Sequence, residues 1–358
     1  MESISTSRQH ANSDARIALV SFDSLGDGLI YLMMANNLQR NGFDITCYGN
    51  IAHQMRHWLP GLKIRPYPPA EQMEKELATY DLAIVSPPGF IRERMDEAET
   101  ARLREKWLLV CQKAPRSWVF NHTERIRAAH PEKFGRLQKL LGCSGSIRYK
   151  AFTRESTVEM TLQYMREKML LDTVTKELPI SPPSGLQLRR YRQRVIVSPD
   201  SAGPEKKNWC ASSFLGLCRH LKKQGYAPEI VVSPKNHATW KQMSGNEFQT
   251  PRFDDVADLC AYLYESDCLV ANDSGNGHLA SFLGIPVVTI YRKRNPFFHW
   301  RPDWEPGVVI CPRFSPPFLN DHLWKHLISI PQIIAAVDRL HTQEASEPAH
   351  APNQTPVT

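Results

Sequence analysis

The stretch Ile17-Ala18-Leu19-Val20-Ser21-Phe22-Asp23-Ser24-Leu25-Gly26-Asp27-Gly28 sets the frame for the whole chain. An apolar run of strand length passes through a short polar loop into a helix, expected over residues 28–41 and ended by Gly42. The alternation then repeats. Further strands are expected at residues 45–48, 63–67, 82–85 and 118–121, with helices between them and a long helix over 155–172. Short apolar runs alternating with amphipathic stretches read as a doubly wound α/β protein.

The stretch Pro179-Ile180-Ser181-Pro182-Pro183-Ser184-Gly185 breaks the pattern, since prolines so close together continue neither a helix nor a central strand. Beyond it the alternation restarts. Strands are expected at 195–198, 230–233, 268–271 and 287–291, and helices at 212–224, 256–264 and 274–283. The expected organisation is a flexible N-terminus (1–15), a Rossmann-like domain (16–178), a proline-rich linker (179–193), a second Rossmann-like domain (194–340) and a disordered tail (341–358). Two such halves leave one obvious place for a ligand: the cleft between them, outside the carboxyl ends of the strands.

At 358 residues the chain has the length of two domains. Its 42% hydrophobic and 23% charged residues exclude a disordered, collagen-like or coiled-coil protein. No apolar run approaches the roughly 18 residues of a membrane span. The polar start, with His10, Asn12 and Asp14, does not read as a signal peptide. Eight cysteines without a C-x-x-C pair fit neither a disulfide framework nor a zinc cage, so reduced thiols in a cytoplasmic protein are expected. His53 with His57, and His322 with His326, have metal spacing but lack the glutamate of H-E-x-x-H. There is no D-x-D pair and no Walker lysine loop, and no metal is expected.

The formal net charge is +7, and residues 92–150 alone hold 14 basic against 7 acidic residues, which equals the whole excess. Two readings stand: a solvated face, or attraction to an anionic acceptor or membrane surface. Nucleic acid is not expected, because no motif for it occurs and no single helix or arm gathers the charge.

Three strand-to-helix junctions carry chemistry. The first places Asp27 between Gly26 and Gly28 at a helix start, as a general base towards a hydroxyl or as a helix N-cap. The second, Ser198-Pro199-Asp200-Ser201-Ala202-Gly203-Pro204-Glu205-Lys206-Lys207-Asn208-Trp209, offers lysine charge and an aromatic to a phosphate-bearing ligand, or is a solvated basic loop. The third is Asn272-Asp273-Ser274-Gly275-Asn276-Gly277-His278-Leu279-Ala280. Two glycines there leave backbone amides bare at a helix N-terminus, a ready anion site, and His278 lies about one turn in. A capped, tightly packed helix start is the structural alternative.

In order and spacing the three segments resemble glycosyltransferase family 9, the ADP-heptose:lipopolysaccharide heptosyltransferases. The resemblance runs through Ser24-Leu25-Gly26-Asp27, Lys207-Asn208-Trp209, and Asn272-Asp273-Ser274-Gly275 with His278-Leu279-Ala280. It implies a GT-B fold, two Rossmann-like doubly wound domains facing across a cleft, the second holding a nucleotide-sugar and the first an acceptor. It implies an inverting, metal-independent transferase with no resident cofactor. Asp27 then matches the catalytic aspartate, Lys207 the phosphate-binding lysine, and Asp273, Ser274, Gly275 and His278 the diphosphate-binding helix start. Lys206, Trp209, Asn276 and Gly277 flank those positions, and Glu159 matches a family glutamate more loosely. The implied partners are a nucleoside-diphosphate sugar such as ADP-heptose and an anionic glycolipid or glycan acceptor. The implied place is the cytoplasm, with peripheral contact at the inner face of the inner membrane.

Two stretches depart from that pattern. After the second C-terminal strand, where an acidic ribose contact is expected, the chain reads Ser233-Pro234-Lys235-Asn236. After Tyr291 it reads Arg292-Lys293-Arg294-Asn295-Pro296 rather than a glycine and a threonine. A nucleotide-sugar epimerase or hydrolase, and a non-catalytic nucleotide-sugar-binding protein, are the alternatives.

Overall fold

The structure is a computed structural model that describes residues 15–150, 154–293, 301–305, 307–313 and 323–345. Most of the expected N-terminal and C-terminal tails, His322 and residues 294–296 therefore lie outside the described residues. The chain divides into two compact units. One gathers the residues up to 151 with 159–179; the other gathers 152–158 and the chain from 180 onward.

Unit one holds a parallel six-stranded sheet: β1 (Arg16–Val20), β2 (Asp44–Tyr48), β3 (Lys63–Arg65), β4 (Leu82–Val85), β5 (Leu108–Cys111) and β6 (Gly145–Ser146). The order is β3-β2-β1-β4-β5-β6, with Ile17 opposite Leu82 and Val20 opposite Val85. This is the Rossmann order, and it reverses direction between β1 and β4. The helix Leu25–Arg40 follows β1, and all of its residues 29–38 are buried. Its buried Asn37 donates to Thr175 O at 2.8 Å and accepts from Thr175 N at 2.7 Å, tying the returning segment to this unit.

One expected element is corrected. No strand forms over 118–121, where Arg116–Trp118 is a 3₁₀ turn. The strand is instead β5, whose Leu108, Leu109 and Val110 are fully buried. Pro115 fixes an extended backbone just before the turn, and Trp118 reaches the core from outside the sheet.

Unit two holds a parallel five-stranded sheet: β7 (Tyr191–Ser198), β8 (Ala227–Ile230), β9 (Ser266–Asn272), β10 (Val287–Ile290) and β11 (Gly307–Ile310). Its order is β11-β10-β9-β7-β8, a flavodoxin-type arrangement that reverses between β7 and β9. The segment expected as a tail from 341 begins as helix, because Ile330–Ala345 is continuous. Ile333, Ile334, Val337 and Leu340 recur at helical spacing and are buried, which anchors that last helix on the core. Arg189, at the end of the proline-rich stretch, forms a buried ion pair with Asp267 of β9 at 2.6 Å.

Candidate functional site

In a doubly wound sheet, the loops diverge where the strand order reverses, and ligands bind there outside the carboxyl ends of the strands. Each unit has one such point, and the residues singled out in the sequence gather at both.

In unit one the point lies between β1 and β4. Asp23 Oδ2 accepts from Gly89 N at 3.1 Å, joining the loop after β1 to the loop after β4. Ser24 is the N-cap of the helix Leu25–Arg40: its Oγ accepts from Asp27 N at 3.2 Å and donates to Asp27 Oδ2 at 2.6 Å. The N-cap reading of Asp27 is thereby corrected, since the cap is Ser24 and Asp27 sits in the first helical turn. Burial pushes the Asp27 carboxyl above its ordinary 3.8, opposed by the Ser24 hydroxyl and the Arg92 charge. Arg92 ends the short helix Gly89–Arg92, with its guanidinium 4.5 Å from the Phe22 ring centroid and 5.9 Å from that of Trp118. Sequence reasoning missed Arg92. It lies 65 residues from Asp27 in the chain, and only the β1–β4 pairing brings the two together.

In unit two the point lies between β7 and β9. Asn272, fully buried at the end of β9, accepts from Trp209 N at 3.0 Å and donates to Pro199 O. Asn276 Nδ2 donates to Ser198 Oγ at 2.9 Å. Both asparagines thus stitch the loop after β7 to the helix Gly275–Phe282 that follows β9. Lys207 ends the short helix Pro204–Lys207 and pairs with Asp273 Oδ2 at 2.8 Å. Asp273 Oδ1 and Ser274 Oγ are buried and have no hydrogen-bond partner among the described residues. Ser274 is the N-cap residue but makes no side-chain cap bond, so that helix start keeps polar capacity for a ligand. Burial raises the Asp273 carboxyl above its ordinary value, while Lys207 lowers it.

The side chains of four expected site residues stand apart from these contacts. His278 is buried, and burial, with a smaller push from the Lys207 charge, lowers its pKa to about 3, so near neutral pH it is an uncharged imidazole. It can act as a hydrogen-bond group but not as a cation. Trp209 belongs to the hydrophobic core, packed edge-on to Phe214 at 5.2 Å with its Nε1 donating to Lys325 O at 2.7 Å. That packing corrects the expectation of an aromatic open to the ligand. Lys206 is exposed, and Glu159 lies in the first turn of the helix Thr157–Lys168 and is counted with unit one. Among the described residues no group of three or more His, Cys, Asp or Glu side chains converges on a point that could hold a metal.

Residues 145–311 match the family model described as glycosyltransferase family 9 (heptosyltransferase). That stretch is just under half of the chain, and over it the sequence is similar to glycosyltransferase family 9. The matched stretch spans the whole unit-two site, from Ser198 to His278. No curated protein matches the chain in sequence. Among solved structures, a glycosyl transferase family 9 protein from Veillonella parvula is similar at 17% identity and TM-score 0.65, covering 92% of this chain and 97% of its own. The E. coli ADP-heptose LPS heptosyltransferase II is similar at 16% identity and TM-score 0.55, covering 92% of this chain and 100% of its own. An E. coli heptosyltransferase with ADP is similar at 13% identity and TM-score 0.57, covering 91% and 99%. At those identities the likeness is one of fold: a GT-B-type chain of two doubly wound units.

Proposed function

We propose that this protein is an inverting glycosyltransferase that moves a sugar from a nucleoside-diphosphate sugar to a hydroxyl of an anionic glycan or glycolipid. ADP-heptose is the proposed donor and a lipopolysaccharide core the proposed acceptor. Asp27 removes the acceptor proton as the oxygen attacks the anomeric carbon from the face opposite the leaving group. Its ionisation is helped by Ser24 and Arg92, which both offset burial. Lys207 and the amides of the Gly275–Phe282 helix start meet the negative charge growing on the departing diphosphate. In this reading charge on the diphosphate is met by protein groups, without a metal, and no resident cofactor takes part.

The observation that carries the reading is Lys207 held against that helix start at the β7/β9 reversal, inside the stretch that matches the family 9 model. The acceptor's charge is supported by the basic residues of the 92–150 segment, sorted by their surroundings. Arg102 and Lys106 are taken up by Glu74, and Arg102 also by Glu99. Arg104 donates to Ser117 O at 2.9 Å. By contrast Arg94, Lys113 and Arg116, on the loops after β4 and β5, are exposed and have no ion pair among the described residues. A cytoplasmic location with peripheral attraction to an anionic membrane face is part of the same proposal, the attraction being supported by these exposed charges.

The test is nucleotide release from ADP-heptose with and without acceptor. Acceptor-dependent release with a new glycosidic product supports transfer. Release of nucleotide with free or isomerised sugar, and no acceptor needed, replaces the reading with a hydrolase or epimerase. Binding without turnover leaves a nucleotide-sugar-binding protein.

A further inference from the structure

Asp200 follows Pro199 at the tip of β7, yet its carboxylate turns to the neighbouring strand's loop. Its Oδ2 accepts three hydrogen bonds: from Ser233 N at 2.8 Å, Ser233 Oγ at 2.8 Å and Asn236 Nδ2 at 3.1 Å. Three donors saturate that oxygen. The other oxygen, Oδ1, has no hydrogen-bond partner among the described residues and is not sealed from solvent. A half-buried carboxylate is therefore held rigidly by one oxygen and presents the other, an acceptor only, at the carboxyl edge of the sheet.

The position of that oxygen selects its ligand. In a doubly wound sheet with phosphate held where the strand order reverses, the nucleoside lies towards the second strand, and a carboxylate there accepts from the ribose hydroxyls. Here the phosphate end is at β7/β9, and Asp200 lies over β8, the strand beyond β7. Two strand spacings, about 10 Å, separate the tips of β9 and β8. An open carboxylate oxygen with no cation beside it calls for a hydrogen-bond donor, and a hydroxyl of the ligand suits it better than a phosphate. A ribose diol supplies such hydroxyls. The loop after β8, residues 233–236, carries no carboxylate of its own; the loop after β7 supplies one across the strand boundary.

We infer that Asp200 is a specificity residue that accepts a hydrogen bond from the ribose 2′- or 3′-hydroxyl of the donor nucleotide. This rests on the reading of unit two as a nucleoside-diphosphate site. The residue does not touch the reacting atoms. It sets which nucleotides enter, by rewarding ribose over deoxyribose.

The experiment is calorimetric titration of the full chain with ADP, UDP and GDP and with their 2′- and 3′-deoxy counterparts, for wild type and Asp200→Asn. Asparagine keeps an oxygen for Ser233 and Asn236 and puts an amide where Oδ1 was. Wild type should prefer the ribose form by about tenfold or more over at least one deoxy form, as expected for a hydrogen bond to a charged group. In Asp200→Asn the preference should shrink to about twofold, while deoxynucleotide affinity and the melting temperature stay near wild type. An equal ribose preference in both proteins, or none in wild type, overturns the inference and leaves Asp200 as a clamp between two loops. Failure of wild type to bind any nucleotide overturns the donor-site reading itself, and the inference with it.

Discussion

Lys207 Nζ lies 2.8 Å from Asp273 Oδ2, and the pair bridges the two loops that diverge where the strand order of unit two reverses. The lysine is less than half exposed and is already charge-balanced before any ligand arrives. A diphosphate there competes with Asp273 for the same ammonium group. Beside that pair, Asp273 Oδ1 and Ser274 Oγ are buried and have no hydrogen-bond partner among the described residues. The arrangement is costly for an empty structural element, because buried polar atoms without partners each forfeit hydration.

Removing the lysine separates phosphate binding from folding. Lys207→Ala should weaken a nucleoside diphosphate and its sugar by about 10- to 100-fold, the range for a charged hydrogen bond. A nucleoside without phosphates should bind both proteins equally in calorimetry. An equal loss for the nucleoside would make Lys207 a support of the fold.

The second expectation concerns the base. Asp27→Asn should leave donor affinity nearly unchanged and slow transfer by about 100-fold or more. The base must be ionised, so the rate should fall as pH drops through a value above 3.8, because burial raises the carboxyl. Arg92 lowers it, so Arg92→Gln should move the acid limb of the rate profile upward. An unmoved limb would detach Arg92 from Asp27.

Why some of this was legible and some not has a physical cause. Asp27, Lys207 and Asp273 sit where an apolar run stops and a helix begins, a junction that local sequence marks. Ser24 as the cap was equally local, three residues away, but Asp27 offered the same capping chemistry. Arg92 and Asp200 act through partners set by strand order, at separations of 65 and 33 residues or more, and no local signal encodes strand order. The β5 strand was hidden because its four residues lie inside a strongly charged segment, between Lys106 and Lys113.

His278 makes unit two acid-sensitive. Its pKa in the fold, about 3, is below the ordinary 6.5, so the unfolded chain takes up the proton first. Its contribution is therefore intact above pH 6.5 and is lost as pH falls towards 3, by up to about 1.4 kcal/mol per pH unit. Urea midpoints at pH 7.5 and pH 5 should fall further in wild type than in His278→Gln, even if the variant starts lower. Parallel losses would mean that His278 does not carry the effect.

The last expectation divides the basic segment by geometry. Arg102 and Lys106 already meet Glu74, whose carboxyl they hold down at about 2, so their charge is largely spent on the surface of unit one. Such exposed pairs contribute about 0–1 kcal/mol to stability and little to long-range attraction. Arg94, Lys113 and Arg116 keep their charge, on loops at the carboxyl edge where Asp27 also lies. Near an anionic surface each is worth about 1 kcal/mol, fading as the Debye length shrinks from about 10 Å at 0.1 M salt to about 3 Å at 1 M. Replacing Arg94, Lys113 and Arg116 with serine should therefore weaken co-sedimentation with anionic vesicles at low salt and raise the KM for an anionic acceptor, leaving donor affinity alone. Replacing Arg102 and Lys106 together with Glu74 and Glu99, each by a neutral residue, should change neither. If the two sets of variants behave alike, net charge rather than its placement governs the contact, and the carboxyl edge of unit one loses its claim on the acceptor.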